Sequence, residues 1–166
     1  MSGAEQEQFD PEVDLLQRYE QMIQTQIETL NEIDNRALKL SRLIGALVAI
    51  GVSAASLIAS RGVSIQTNSL LLLLYSAVGL VSMLVSLVFA AITYLSSTFE
   101  YGPSHELGAA MSKNNILKQD YKNKLLSGYS RAIKNNKQVV VTNARRFQRS
   151  LAWFLVGTIF IATGVV

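Results

Sequence analysis

Residues 69–97 read SLLLLLYSAVGLVSMLVSLVFAAITYLSS, and this stretch decides the fold. It lies inside thirty-eight consecutive uncharged residues between Arg61 and Glu100. A run of about 18 or more uncharged apolar residues is the signature of a helix that crosses a bilayer, because the hydrocarbon core needs roughly 20 helical residues. Working outward, residues 43–60 (LIGALVAIGVSAASLIAS) are eighteen uncharged residues, and residues 150–166 (SLAWFLVGTIFIATGVV) carry no side-chain charge. The sequence therefore predicts an all-α membrane protein with about three transmembrane helices, at 43–60, 69–97 and 150–166. The first run is not a secretory signal, since a long acidic, polar segment precedes it rather than a short basic one.

The rest of the chain divides around these runs. Residues 1–9 form a polar tail. Asp10-Pro11-Glu12 opens a helix: Asp10 suits the cap, Pro11 the first turn, and Glu12 the positive end of the dipole. Over 10–42, Leu16, Ile23, Leu30, Ala37 and Ile44 repeat by sevens, with Tyr19, Ile33 and Leu40 three positions further on. Gln26 interrupts that second register. This is a coiled-coil-like seam, which serves either a homo-oligomer or packing on the chain's own helices. With neither Pro nor Gly between Pro11 and Gly45, the helix is expected to run into the first span unbroken.

The 61–68 link holds one charge, Arg61. Gly102-Pro103-Ser104 makes a turn with Ser104 as cap and Glu106 in the first turn that follows. Residues 98–149 form a basic helical region, which Asn114-Asn115 and Gly128 are placed to bend. Val139 to Thr142 would suit a strand, but four residues without a partner strand read as helix.

Charge sets the orientation. Arg36, Lys39 and Arg42 flank the first span, and ten Lys or Arg lie between His105 and Arg149. The positive-inside rule puts the N-terminus and 98–149 in the cytoplasm and the 61–68 link outside, as in a multi-pass protein of the inner (plasma) membrane. Residues 1–42 carry nine acids and four bases, a balance of −5, whereas 102–149 carry two acids and ten bases, a balance of +8. Lys118, Lys122, Arg131 and Lys134 thus offer a face to an acidic helix, to anionic headgroups, or to a cytoplasmic protein or nucleotide-type trigger. No sequence-specific nucleic-acid binding is expected.

Small and polar residues line one face of each of the first two spans: Gly45, Ser53 and Ser56, then Ser76, Gly79, Ser82, Ser86 and Thr93. Such faces allow close helix packing, or they line a pore assembled from several copies. Enzymatic chemistry is not expected. There is no cysteine, one histidine (His105), and no metal-ligand, phosphate-loop or nucleophile arrangement, so no catalytic, cofactor-binding or metal residue can be assigned. The spans hold no ionisable side chain, which argues against an ion-coupled transporter.

Glu32-Ile33-Asp34-Asn35-Arg36-Ala37, two close spans, Tyr101-Gly102-Pro103-Ser104-His105-Glu106-Leu107 and the helix through Tyr121 to Ile133 together resemble the small two-span effectors of prokaryotic nucleotide-signalling defence systems, the SLATT-type and Pycsar-type membrane effectors. The resemblance is one of layout over residues 12–135, and the third span is an addition to the two-span core. It implies a homo-oligomeric, pore-forming or membrane-disrupting effector in antiviral defence. The alternative is a non-conducting membrane scaffold that anchors a soluble partner.

Overall fold

The computed structural model describes residues 11–60, 68–96, 98–102 and 118–165. The tail with its Asp10 cap, the link at 61–67, the turn at Pro103 and Ser104, His105, Glu106, the Asn114-Asn115 bend and Val166 lie outside them. The described residues form three helices and no strand: α1 (Pro11–Ser60), α2 (Asn68–Leu95) and α3 (Lys118–Val165). α1 runs unbroken for 50 residues, as the missing breakers require. α3 runs for 48 residues, through Gly128 and through Val139 to Thr142. The helix is therefore not broken at Gly128. One glycine costs a helix only about 1 kcal/mol, which packing on one side offsets. The β-branched run stays helical because a strand here would leave its backbone groups unpaired.

Two compact units divide the chain, residues 1–29 with 98–140, and residues 30–97 with 141–166. In the first unit, Ile23 and Ala132 are buried. The Tyr19 and Tyr129 rings lie 6.4 Å apart. Gln26 donates from Nε2 to the Ile133 carbonyl at 3.2 Å, while its buried Oε1 has no hydrogen-bond partner among the described residues. Gly102 has φ 124°, and a Cβ there would meet the Tyr129 ring at 3.1 Å, so both backbone and space call for glycine.

In the second unit, Leu40, Ile44 and Met83 form a core with Val48, Leu87, Phe147, Phe154 and Ile161 packed against it. All three helices contribute. α2 ends where Ser96 N–H returns to the Ile92 carbonyl at 3.1 Å. Among the described residues, one stretch, Leu73–Leu95 of α2, is long and apolar enough by length and composition to cross a membrane, against the three expected from the sequence. Several side chains of 54–60, and those of 164–166, lie outside the described residues.

Candidate functional site

The α1 seam is turned inward within a single chain. Ile23, Leu30, Ala37, Leu40 and Ile44 are buried, and Leu16, Tyr19 and Ile33 are half-buried. This burial needs no second copy, so of the two readings of the seam the geometry favours packing on the chain's own helices.

The small faces of α1 and α2 differ. Gly45, Ser53 and Ser56 of α1 are exposed; a Cβ on Gly45 would meet nothing within 4 Å. Ser53 and Ser56 donate to their own helix at the Ala49 and Val52 carbonyls. On α2, Ser76 is half-buried, while Gly79, Ser82, Ser86 and Thr93 are buried. Ser82 and Thr93 donate at 2.8 Å to the carbonyls of Val78 and Phe89. The face they share is covered by α3.

The covering residues are Asn143, Ser150 and Gly157, spaced by sevens, and they meet Thr93, Ser86 and Gly79 in antiparallel order. At the glycine pair the backbones touch. A Cβ on Gly79 would stand 3.0 Å from the Gly157 carbonyl oxygen and 2.6 Å from Ile161, and one on Gly157 would stand 2.9 Å from the Gly79 oxygen. One step on, the serines exchange hydrogen bonds. Ser86 Oγ donates to the Ser150 carbonyl at 2.7 Å, and Ser150 Oγ donates to the Ser86 carbonyl at 2.8 Å. At the third step, Asn143 Nδ2 donates to the Thr93 carbonyl at 3.4 Å, and Asn143 Oδ1 accepts from Ser96 Oγ at 3.3 Å. Arg146 closes this end by donating to Ser96 Oγ and to Asn143 Oδ1. The result is a buried polar ladder whose hydroxyl and amide groups are engaged by direct bonds, as buried polar groups must be.

A related clasp holds the non-helical segment 98–102 in the first unit. Fully buried Asn136 accepts from the Glu100 N–H at 3.0 Å and donates to the Glu100 carbonyl at 2.7 Å. Asn135 Nδ2 donates to Glu100 Oε1 at 3.0 Å. Tyr129 OH donates to Glu20 at 3.2 Å. Its pKa is raised, first by burial and then by that bond and by the negative charge of Glu20.

Sequence reasoning chose the α2 half of the ladder and missed the α3 half. The signal was present, as Asn136, Asn143, Ser150 and Gly157 recur every seven residues. It was overlooked because polar and small residues do not register in an apolar count.

Of the four basic residues singled out from the sequence, Arg131 and Lys134 are exposed and Lys122 is half-buried. The Lys118 side chain lies outside the described residues. The ion pairs on α1, Arg18–Asp14 at 2.8 Å and Arg36–Glu32, join residues four apart on the same exposed helix, and such pairs contribute only about 0.3–0.5 kcal/mol. Among the described residues no three His, Cys, Asp or Glu side chains come together that would hold a metal ion. No family model matches the chain, and neither does any curated protein or solved structure.

Proposed function

We propose that the protein is a three-span membrane effector with its N-terminus in the cytoplasm, and that the α2–α3 ladder holds it in a closed state. The observation that carries this reading is the ladder itself. A helix pair with exposed apolar residues on its outer sides buries hydroxyls and a carboxamide along one seam, with the half-buried Arg146 guanidinium at its end. Polar groups buried between helices are costly unless bonded, and here they are bonded across the seam. Here they have two uses: bonded across the helices they seal the seam, and separated they present a polar surface to water.

The pairings also support three spans with one inner boundary. Ser86 bonds Ser150, Gly79 meets Gly157, and Ile44 shares a core with Met83 and Leu87. Arg42, Leu87 and Arg149 therefore lie near one level. From there 43–60, 69–87 and 150–165 each run outward as uncharged helix, and about 16–19 residues at ~1.5 Å per residue reach roughly 24–28 Å. On this reading, α2 beyond Leu87 projects into the cytoplasm, which accounts for its length beyond a minimal span. Opening follows when a cytoplasmic protein or nucleotide-type trigger acts on the unit that holds residues 11–29 and 118–140, and the conducting form is a homo-oligomer. No cofactor enters this scheme, and it contains no catalytic step.

A second reading, a non-conducting scaffold anchoring a soluble partner, is favoured by one observation: Gly79, Ser82, Ser86 and Thr93 of the small face of α2 are buried inside a single chain. A lock separates the two readings. The Ser86 and Ser150 oxygens are 3.1 Å apart, so cysteines placed there face each other, and the chain has no native cysteine. The S86C/S150C protein is placed in liposomes loaded with a fluorescent ion indicator. An effector leaks when reduced and falls silent when oxidised. Equal or absent leakage in both states makes the scaffold the better account.

A further inference from the structure

Arg145, Arg146 and Arg149 have different environments. Arg146 turns inward to Ser96 and Asn143. Arg145 and Arg149 are exposed, and neither forms an ion pair among the described residues. They sit four residues apart, so they share one face of α3, away from the ladder. Continuing outward on that face come Trp153 and Val156, with Ile159 at its edge; Trp153 is 42% exposed and Ile159 61%. From Arg145 the order is two guanidinium groups, then an indole, then aliphatic side chains.

That order is the profile of a phospholipid. Guanidinium forks bind phosphate oxygens in pairs, indole rings favour the glycerol and carbonyl level, and aliphatic side chains accompany acyl chains. We propose that Arg145, Arg149 and Trp153 form a site for one anionic phospholipid of the inner leaflet, with its phosphate between the two arginines and an acyl chain along Val156 and Ile159. The inference rests on the three-span reading above, which sets Arg149 at the inner boundary. A free phosphate would engage the arginines alone and leave Trp153 and the aliphatic strip without an occupant, so the lipid is the occupant the face fits. The site would tie α3 to the leaflet on the side opposite the ladder.

Native mass spectrometry of the full chain, released from nanodiscs of equal phosphatidylglycerol and phosphatidylcholine, tests the site. The wild type is expected to keep phosphatidylglycerol in preference. In R145Q/R149Q the ratio of the two retained lipids is expected to fall roughly thirtyfold, since each basic group near an anionic surface contributes about a fivefold factor. R131Q/K134Q removes the same charge from the other unit and is expected to leave the ratio unchanged. Trp153→Ala is expected to lower retention of both lipids. An unchanged ratio in R145Q/R149Q, an equal fall in R131Q/K134Q, or a wild type without preference would overturn the site and leave the membrane reading standing. A wild-type chain that fails to enter nanodiscs would overturn the membrane reading itself.

Discussion

At Gly79 a single added methyl group has nowhere to go, since Gly157 and Ile161 already occupy its place. Gly79→Val is therefore expected to destabilise the α2–α3 pair by about 1–3 kcal/mol, the usual cost of overpacking a tight contact. Gly45→Val, on an open face, is expected to cost less than 1 kcal/mol. Denaturant unfolding of both variants in micelles measures the difference. Ser86 and Ser150 permit a finer test, because each hydroxyl donates to the other residue's carbonyl. A double-mutant cycle with alanine should give a coupling of about 0.6–1.7 kcal/mol, the range found for hydrogen bonds between membrane helices. Tyr129 carries the pH prediction. Burial and Glu20 favour its neutral form, so its folded pKa lies above the unfolded value and the folded state holds its proton longer. The stability this gives is complete below the ordinary tyrosine range near 10 and is lost as pH rises through the raised value. An absorbance titration should show one late phenol, which moves down in Glu20→Gln.

Among the elements, α1 was the most legible in the sequence. Ile23, Leu30, Ala37 and Ile44 recur by sevens and every one is buried, because one apolar stripe on a long helix has only one way to turn. Gln26 was recognised as an interruption, and it explains itself as a polar group placed in the seam. The carbonyl of Ile133 that it reaches belongs to a helix, so the bond matters less than the stranded Oε1. Gln26→Leu is accordingly expected to raise the unfolding free energy of the unit that holds Gln26 and Ile133 by about 1 kcal/mol, measured by chemical denaturation. The α2 face was legible because small residues stand out against Leu and Val. Its partner was not, since Asn143 and Ser150 resemble ordinary surface residues until a second helix supplies carbonyls for them to meet. The Asn136 clasp on Glu100 was beyond sequence reasoning altogether: both groups it pairs with are backbone, and backbone has no letter in the sequence. The number of spans shows a similar gap. The absence of charge marks where helices tolerate lipid, but composition alone does not set where each helix begins and ends relative to the others.

For the whole molecule, the question is how many copies act together. The α1 seam is satisfied within the chain, so the proposed homo-oligomer would use surfaces the single chain leaves open. α1 offers Gly45, Ala49, Ser53 and Ser56, all exposed. Gly45→Leu is expected to leave the monomer's helicity unchanged and to lower the mass of the nanodisc particle if this face joins copies; an unchanged mass assigns assembly elsewhere. The absence of cysteine makes topology direct to measure. Ser64→Cys is expected to react with an impermeant maleimide added outside intact cells, and Ser112→Cys only after lysis. The ladder has one more consequence. Its spacers lengthen along the pair, from no side chain at Gly79 and Gly157, to a hydroxymethyl at Ser86 and Ser150, to a carboxamide at Asn143. The two backbones meet directly where the glycines touch, and progressively longer side chains bridge them toward the arginine end. A pull beside Arg146 therefore acts on side-chain hydrogen bonds, whereas one beside Gly157 acts on direct backbone contact.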